Sequence, residues 1–204
     1  MPGSRSVRLK INGLKNRYSV VVDIQIIEFP NAVPPDLCDQ IVTKFEADSR
    51  KARSNYDPSQ EGRDYRQADI LAISPLPEWK AEDGELCQII SGLCAEYMAR
   101  FKTGEPLIDY GYTIAKYGIG DGCLEHKDTS YRDPERKLIS LVLFLNDVQE
   151  GGELVFPLHG VRVKPEKGKA VLYPSLFTYR HFVEAVRSNP RYVIIAFVGN
   201  ANSR

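Results

Sequence analysis

Apolar and polar positions along the chain fall into two regimes, helical in the first half and strand-like in the second. Tyr18 to Phe29 is rich in β-branched residues and alternates in its later part, which predicts one or two strands ending at Pro30. Pro34-Pro35-Asp36 then supplies a helix start, with proline tolerated in the first turn and an acid facing the helix dipole. Leu37, Ile41 and Phe45 recur every four residues, so a helix over 35–50 packs one apolar stripe on a sheet. From Ser49 to Gln67 the pattern dissolves into charged and small polar residues, the signature of a long loop that is either a functional lid or disordered. Ala68 to Ser74 reads as a short strand. After Pro75 and Pro77, a longer helix starts near Glu78 or Trp79, with Leu86, Ile89, Ile90, Leu93, Tyr97 and Phe101 at helical period. Gly84 and Gly92 mark a bend or close packing within it, and Cys87 and Cys94 read as core residues on or near its apolar face.

Beyond Gly104-Glu-Pro106 the chain becomes short β-like runs separated by Gly, Pro, Asn and Asp. They are Leu107 to Tyr117, Lys137 to Asn146, Glu153 to Phe156, Val161 to Val163, Lys169 to Tyr173, Thr178 to Val186 and Arg191 to Val198. Strands so spaced, after two helices, predict an α+β, mainly β fold: a sandwich or barrel of the jelly-roll kind with two N-terminal supporting helices.

Composition narrows the class. At 204 residues and 43% hydrophobic, the chain can bury one full core. The expected organisation is a basic, flexible tail over 1–17 and one domain over 18–204. Twenty-seven basic residues balance 27 acidic ones, so no global field favours nucleic acid or an anionic membrane, and neither is expected as a partner. The basic tail reads as a solvated terminus. Four cysteines without a C-x-x-C pair, and no apolar leader, point to a reducing, cytoplasmic setting without disulfides. No apolar run reaches the roughly 18 to 20 residues of a spanning helix, so a soluble protein is expected.

Candidate chemistry centres on scarce histidines, three in all. His126 and Asp128 lie two apart, and in an extended segment they would leave one face together. With His181 they would form a set of two histidines and one carboxylate, which leaves open positions on a non-haem Fe(II). Alone an H-x-D pair is a weak signal, because a strand histidine is more often packed or at the surface than a ligand. Arg191 heads the apolar strand Tyr192 to Phe197. A buried cation there would need an anion and could grip a carboxylate through two parallel hydrogen bonds, whereas at a strand end it could equally lie in solvent. Lys127 would point away from its neighbours, and His159 reads as a surface loop residue.

Taken together, Tyr117-Gly-Ile-Gly120, His126-Lys-Asp128, the strand into Phe144-Leu-Asn146, Gly151-Gly-Glu-Leu-Val-Phe-Pro157, Lys167 to Pro174, His181 and Arg191 resemble the Fe(II)- and 2-oxoglutarate-dependent dioxygenases, in their prolyl 4-hydroxylase-like branch. The resemblance runs from about Tyr112 to Val198, and the strand and helix upstream fit it. It implies that His126, Asp128 and His181 bind Fe(II), that Arg191 binds the distal carboxylate of 2-oxoglutarate, and that Tyr117 assists. It also implies O2 as the second cosubstrate, release of succinate and CO2, and hydroxylation of an unactivated C–H.

Three positions depart from the branch. Cys123 stands where tyrosine is common, Leu154 replaces a threonine, and Phe197 takes the place of a tryptophan in the plant- and algal-type prolyl hydroxylases. Asp128 is retained, which disfavours halogenation. The altered aromatic positions favour a small or amino-acid-like substrate, with a peptide, and so peptidyl prolyl 4-hydroxylation, as the alternative. A non-catalytic cupin-like binding or sensing protein is a further alternative, against which the complete triad and arginine count. Arg63, Arg66, Tyr131, Arg132 and Phe197 are candidate substrate contacts, and Arg180 flanks the distal histidine.

Overall fold

The computed structural model describes residues 24–54, 66–101, 107–129 and 137–200. The expected tail, Arg63, Tyr131 and Arg132 lie outside them. In chain order the first elements are β1 (Ile27–Phe29), α1 (Pro35–Ala47), β2 (Ala52–Ser54), β3 (Ala68–Ala72), α2 (Lys80–Phe101) and β4 (Leu107–Tyr117). There follow β5 (Cys123–His126), β6 (Lys137–Phe144), β7 (Leu154–Phe156), β8 (Val161–Val163), β9 (Ala170–Pro174), β10 (His181–Val183) and β11 (Arg191–Asn200). The strands form a seven-stranded sheet, β1-β9-β6-β11-β4-β3-β2, and a four-stranded sheet, β5-β10-β7-β8, antiparallel throughout. This is the mainly β jelly roll with two helices that the sequence pattern predicts.

Strand alternation divides the large sheet's side chains between two cores. Ile114, Leu141, Leu143, Leu172, Ile194 and Ala196 face one way and bury the helical stripes of Leu37, Ile41, Phe45, Leu86, Ile90 and Tyr97. Ala115, Tyr117, Val142, Phe144, Val171, Tyr173 and Val193 face the other way and meet Cys123, Leu154, Phe156, Val163 and Val183 of the small sheet. Arg191 leaves β11 in step with Val193, on this second, inter-sheet side. The site described below opens within this side.

Several expectations shift in detail. The first helix stops at Ala47 because Asp48 turns to extended backbone, and its carboxylate accepts from Arg50 and from the Trp79 indole. The stretch read as one loop contains β2, whose Ala-Arg-Ser carries no apolar signal, paired with β3. A 3-10 turn, Pro77–Trp79, precedes α2. Cys94 is buried as expected, but Cys87 is exposed and is not core. Gly84 and Gly92 mark no close packing, since a Cβ at either would meet nothing within 4 Å. The run from Thr178 to Val186 is broken into a 3-10 turn over Phe177–Tyr179 and the short β10. Among the described residues no helix is long and apolar enough to cross a membrane.

Candidate active site

His126, the last residue of β5, and His181, the first of β10, are direct cross-strand partners, and their ring centroids lie 4.4 Å apart. Asp128 follows in a bend just beyond β5, not in an extended strand, so the turn and not a shared strand face brings it to the histidines. Its Oδ1 is 3.5 Å from His126 Nε2 and its Oδ2 is 3.7 Å from His181 Nε2. One ligand atom from each of the three residues lies within 4.8 Å of the others, a spacing that can hold one metal ion.

The ring nitrogens are assigned by their neighbours. His126 Nδ1 lies 2.8 Å from the Leu124 carbonyl and His181 Nδ1 lies 3.0 Å from the Tyr179 carbonyl, so each Nδ1–H donates to backbone. Both Nε2 atoms are thereby left toward Asp128, the orientation that ligating histidines take when a carbonyl fixes their tautomer. Asp128 Oδ2 is buried without a hydrogen-bond partner among the described residues. An orphaned carboxylate oxygen between two such nitrogens fits a divalent cation.

Charge follows the same logic. Burial alone would raise the Asp128 carboxyl, but the two histidines outweigh it and hold it well below the usual carboxylate range. Burial opposes charge on His126, yet the hydrogen bond to Asp128 and the Cys123 sulfur lift it to about 10. His181 is pushed down, chiefly by burial.

Arg191 opens β11 directly opposite Tyr117 on β4, and its guanidinium lies over that ring at 4.9 Å and over Phe144 at 5.1 Å. It is 1% exposed, and its Nε and Nη1 have no hydrogen-bond partner among the described residues. A fully buried cation so placed calls for an anion, and two free N–H directions suit a carboxylate. Burial pushes both groups toward neutrality, the guanidinium down and the Tyr117 phenol up. Gly152 packs closely beside it: at φ 71°, a Cβ there would come within 3.1 Å of Arg191 Cδ.

One cavity is lined by His126, Asp128 and His181 together with Arg191 and Tyr117, and Arg66 and Phe197 border the same space. Arg66 is held there by a bridge to Cys123 and by the bond from Ser54 Oγ to its carbonyl. Lys137 lies over the Phe197 ring at 4.2 Å. Arg180 is turned outward to Glu125, at 2.7 Å. His159 is not a plain surface residue, since it stacks on Tyr179 at 4.5 Å with its Nδ1 buried. Sequence reasoning missed Tyr173, whose hydroxyl lies 3.2 Å from His181 Nε2. Its signal is the alternation of β9, which sets Val171 and Tyr173 on the inner face of an otherwise apolar run.

The jelly roll thus carries, in one cavity, a two-histidine, one-carboxylate group that could hold a metal ion and a buried arginine that suits a carboxylate. Residues 112–199 match the family model described as the 2OG-Fe(II) oxygenase superfamily. The relatives this chain resembles are prolyl 4-hydroxylases and PKHD-type hydroxylases. Fe(II), 2-oxoglutarate and O2 are what that family match implies. A PKHD-type hydroxylase of Prochlorococcus marinus (strain MIT 9313) is 33% identical over 93 residues, 44% of this chain and 41% of the relative. Prolyl 4-hydroxylase subunit alpha-2 of Gallus gallus is 41% identical over 71 residues, 31% of this chain and 13% of the relative. The chain thus matches well under half the length of these curated relatives. A Pseudomonas putida prolyl-4-hydroxylase structure superposes with a TM-score of 0.68 at 20% identity, covering 88% of this chain and 94% of that one. A viral collagen prolyl hydroxylase from Paramecium Bursaria Chlorella virus-1 gives 0.65 at 16% identity, covering 85% and 95%. At these identities the likeness speaks for the fold.

Proposed function

We propose that this chain is a Fe(II)- and 2-oxoglutarate-dependent oxygenase that hydroxylates an unactivated C–H of a small or amino-acid-like substrate, releasing succinate and CO2. The observation that carries the reading is the convergence of His126, Asp128 and His181 with Arg191 in one cavity. His126 and His181 would hold the metal through Nε2 and Asp128 through a carboxylate oxygen. Bound together, the metal and the keto-acid supply oxidising power that no protein side chain has. The chain's task is placement and exclusion. Arg191 would take the distal carboxylate of 2-oxoglutarate through paired N–H donors, with Tyr117 beside it, which orients the other end of the cosubstrate toward the histidines. Val142, Leu154, Val183, Val193 and Ile195 line the space with apolar surface and exclude water from it. Arg66 and Phe197 border the remaining room and are the substrate contacts proposed among the described residues.

The test is anaerobic addition of Fe(II) and 2-oxoglutarate, followed by O2. The expected results are a visible charge-transfer band and succinate formation, with His126→Ala lacking both. Wild-type turnover retained in His126→Ala would sink the assignment. A substrate panel read by mass spectrometry for one added oxygen then identifies the substrate class. The names of the prolyl 4-hydroxylase relatives favour a second reading, peptidyl proline as substrate. Proline-rich peptides that drive succinate formation while free amino acids do not would decide for it.

A further inference from the structure

Tyr173 is a buried polar group beside the site to which the reading above gives no task. It is 2% exposed, with its ring edge-on to Phe156 at 4.8 Å and to His181 at 5.0 Å. Its hydroxyl lies 3.2 Å from His181 Nε2. Ser140 is its direct partner across β6 and β9, and Ser140 Oγ sits 2.7 Å from Ser175 Oγ, all three residues being buried. The Asp128 carboxylate faces this group as well: it adds to burial in pushing the Tyr173 phenol up, and the Ser140 hydroxyl helps to hold Asp128 ionised.

Two unsatisfied groups emerge once the metal is considered. His181 Nδ1 is engaged by the Tyr179 carbonyl, so the only lone pair the imidazole can offer is on Nε2. A metal that takes this lone pair removes the acceptor nearest to the Tyr173 hydroxyl. A buried hydroxyl left without an acceptor is unfavourable. On the other side, a metal that takes one oxygen of the buried Asp128 carboxylate leaves its second oxygen as an acceptor in need of a donor. The Tyr173 hydroxyl and Asp128 Oδ2 approach the same nitrogen, His181 Nε2, to 3.2 and 3.7 Å.

We propose that in the metal-loaded protein the Tyr173 hydroxyl, steadied by Ser140, donates to the Asp128 oxygen that the metal leaves free. Tyr173 is then a positioning residue. It holds the carboxylate to one-oxygen ligation, which keeps the remaining metal positions clear for the cosubstrate. The inference rests on the assignment of His126, Asp128 and His181 as ligands and adds a residue that acts through one of them.

The test uses Mn(II) and Co(II) as probes, without turnover. Tyr173→Phe removes one oxygen and keeps the ring. Loss of a hydrogen-bond partner to a metal ligand characteristically weakens metal binding by roughly 10- to 100-fold. The expected result is a fall of that size in Mn(II) affinity by equilibrium dialysis, together with a changed intensity of the Co(II) visible bands, which report ligand number. Tyr97→Phe, which deletes another buried hydroxyl, bonded to the Gln25 carbonyl in the helix-side core, is expected to change neither readout. Should Tyr173→Phe not fold, Ser140→Ala tests the same group from the neighbouring strand, with weaker Mn(II) binding expected. Wild-type affinity within twofold and an unchanged Co(II) spectrum in the variant would overturn the role of Tyr173. Failure of the wild-type chain itself to bind either ion would instead overturn the ligand assignment.

Discussion

Arg191 condenses the tension between stability and function into one side chain. Its guanidinium is buried against two rings, and two of its nitrogens lack partners among the described residues. Without an anion beside it such a cation destabilises the fold, and a well-packed apolar side chain of similar length relieves the strain. Arg191→Met is therefore expected to raise the thermal midpoint of the chain, by about 1–3 kcal/mol in unfolding free energy, while 2-oxoglutarate affinity falls by roughly two orders of magnitude. Differential scanning calorimetry and 2-oxoglutarate titration check the two halves. A variant that loses both stability and affinity would show that the guanidinium is held structurally. Sequence reading reaches Arg191 because a cation at the head of an apolar strand is conspicuous. It does not reach Tyr173, whose phenol looks like one more core aromatic until its neighbours are known.

Among the elements, α1 and α2 are joined by a polar clasp under their apolar stripes. Glu82 on α2 accepts from Lys44 Nζ at 2.7 Å and from Gln40 Nε2 at 2.9 Å, both on α1. Burial by itself would raise the Glu82 carboxyl, but these bonds outweigh it and hold it below the ordinary carboxylate range. A depressed folded value contributes stability above the unfolded value of about 4.3 and loses it as pH falls through the folded value. Glu82→Gln is thus expected to destabilise by about 1–3 kcal/mol near neutral pH, with the gap to wild type closing below about pH 4. Urea unfolding at a series of pH values measures it, and a pH-independent gap would contradict the account. Both helices are legible because their apolar stripes run for more than two turns. The strands β2 and β5 are not, since Ala-Arg-Ser and Cys-Leu-Glu-His carry no alternation of apolar and polar residues, and pairing with β3 and β10 creates them.

At the scale of the molecule, what the residue pattern leaves open is the order of strands. Neighbours such as β9 and β6, or β11 and β4, are distant in sequence, and alternation fixes which face a residue takes without naming its partner strand. The Gly-Gly turn shows how such long-range closure is encoded. A Cβ on Gly151, at φ 76°, would lie 2.2 Å from the Ala185 carbonyl oxygen, so the turn docks against the segment after β10 only as glycine. Gly151→Ala is expected to destabilise by more than about 2 kcal/mol from backbone strain and overlap, read as a lowered urea midpoint, and a near-neutral variant would mean that the turn can move aside. The pairing of His126 with His181 has its own consequence. Among the described residues strand β5 ends the small sheet, paired with β10 and bridged at Cys123 by Arg66, so an ion held between these histidines would fasten the same seam that backbone hydrogen bonds fasten. Iron supply would then set the lifetime of the chain as well as its activity. Backbone amides of Cys123–His126 should exchange with deuterium more slowly in the metal-loaded protein than in the chelated one, and a protease cutting near this seam would in effect read the iron status of its surroundings.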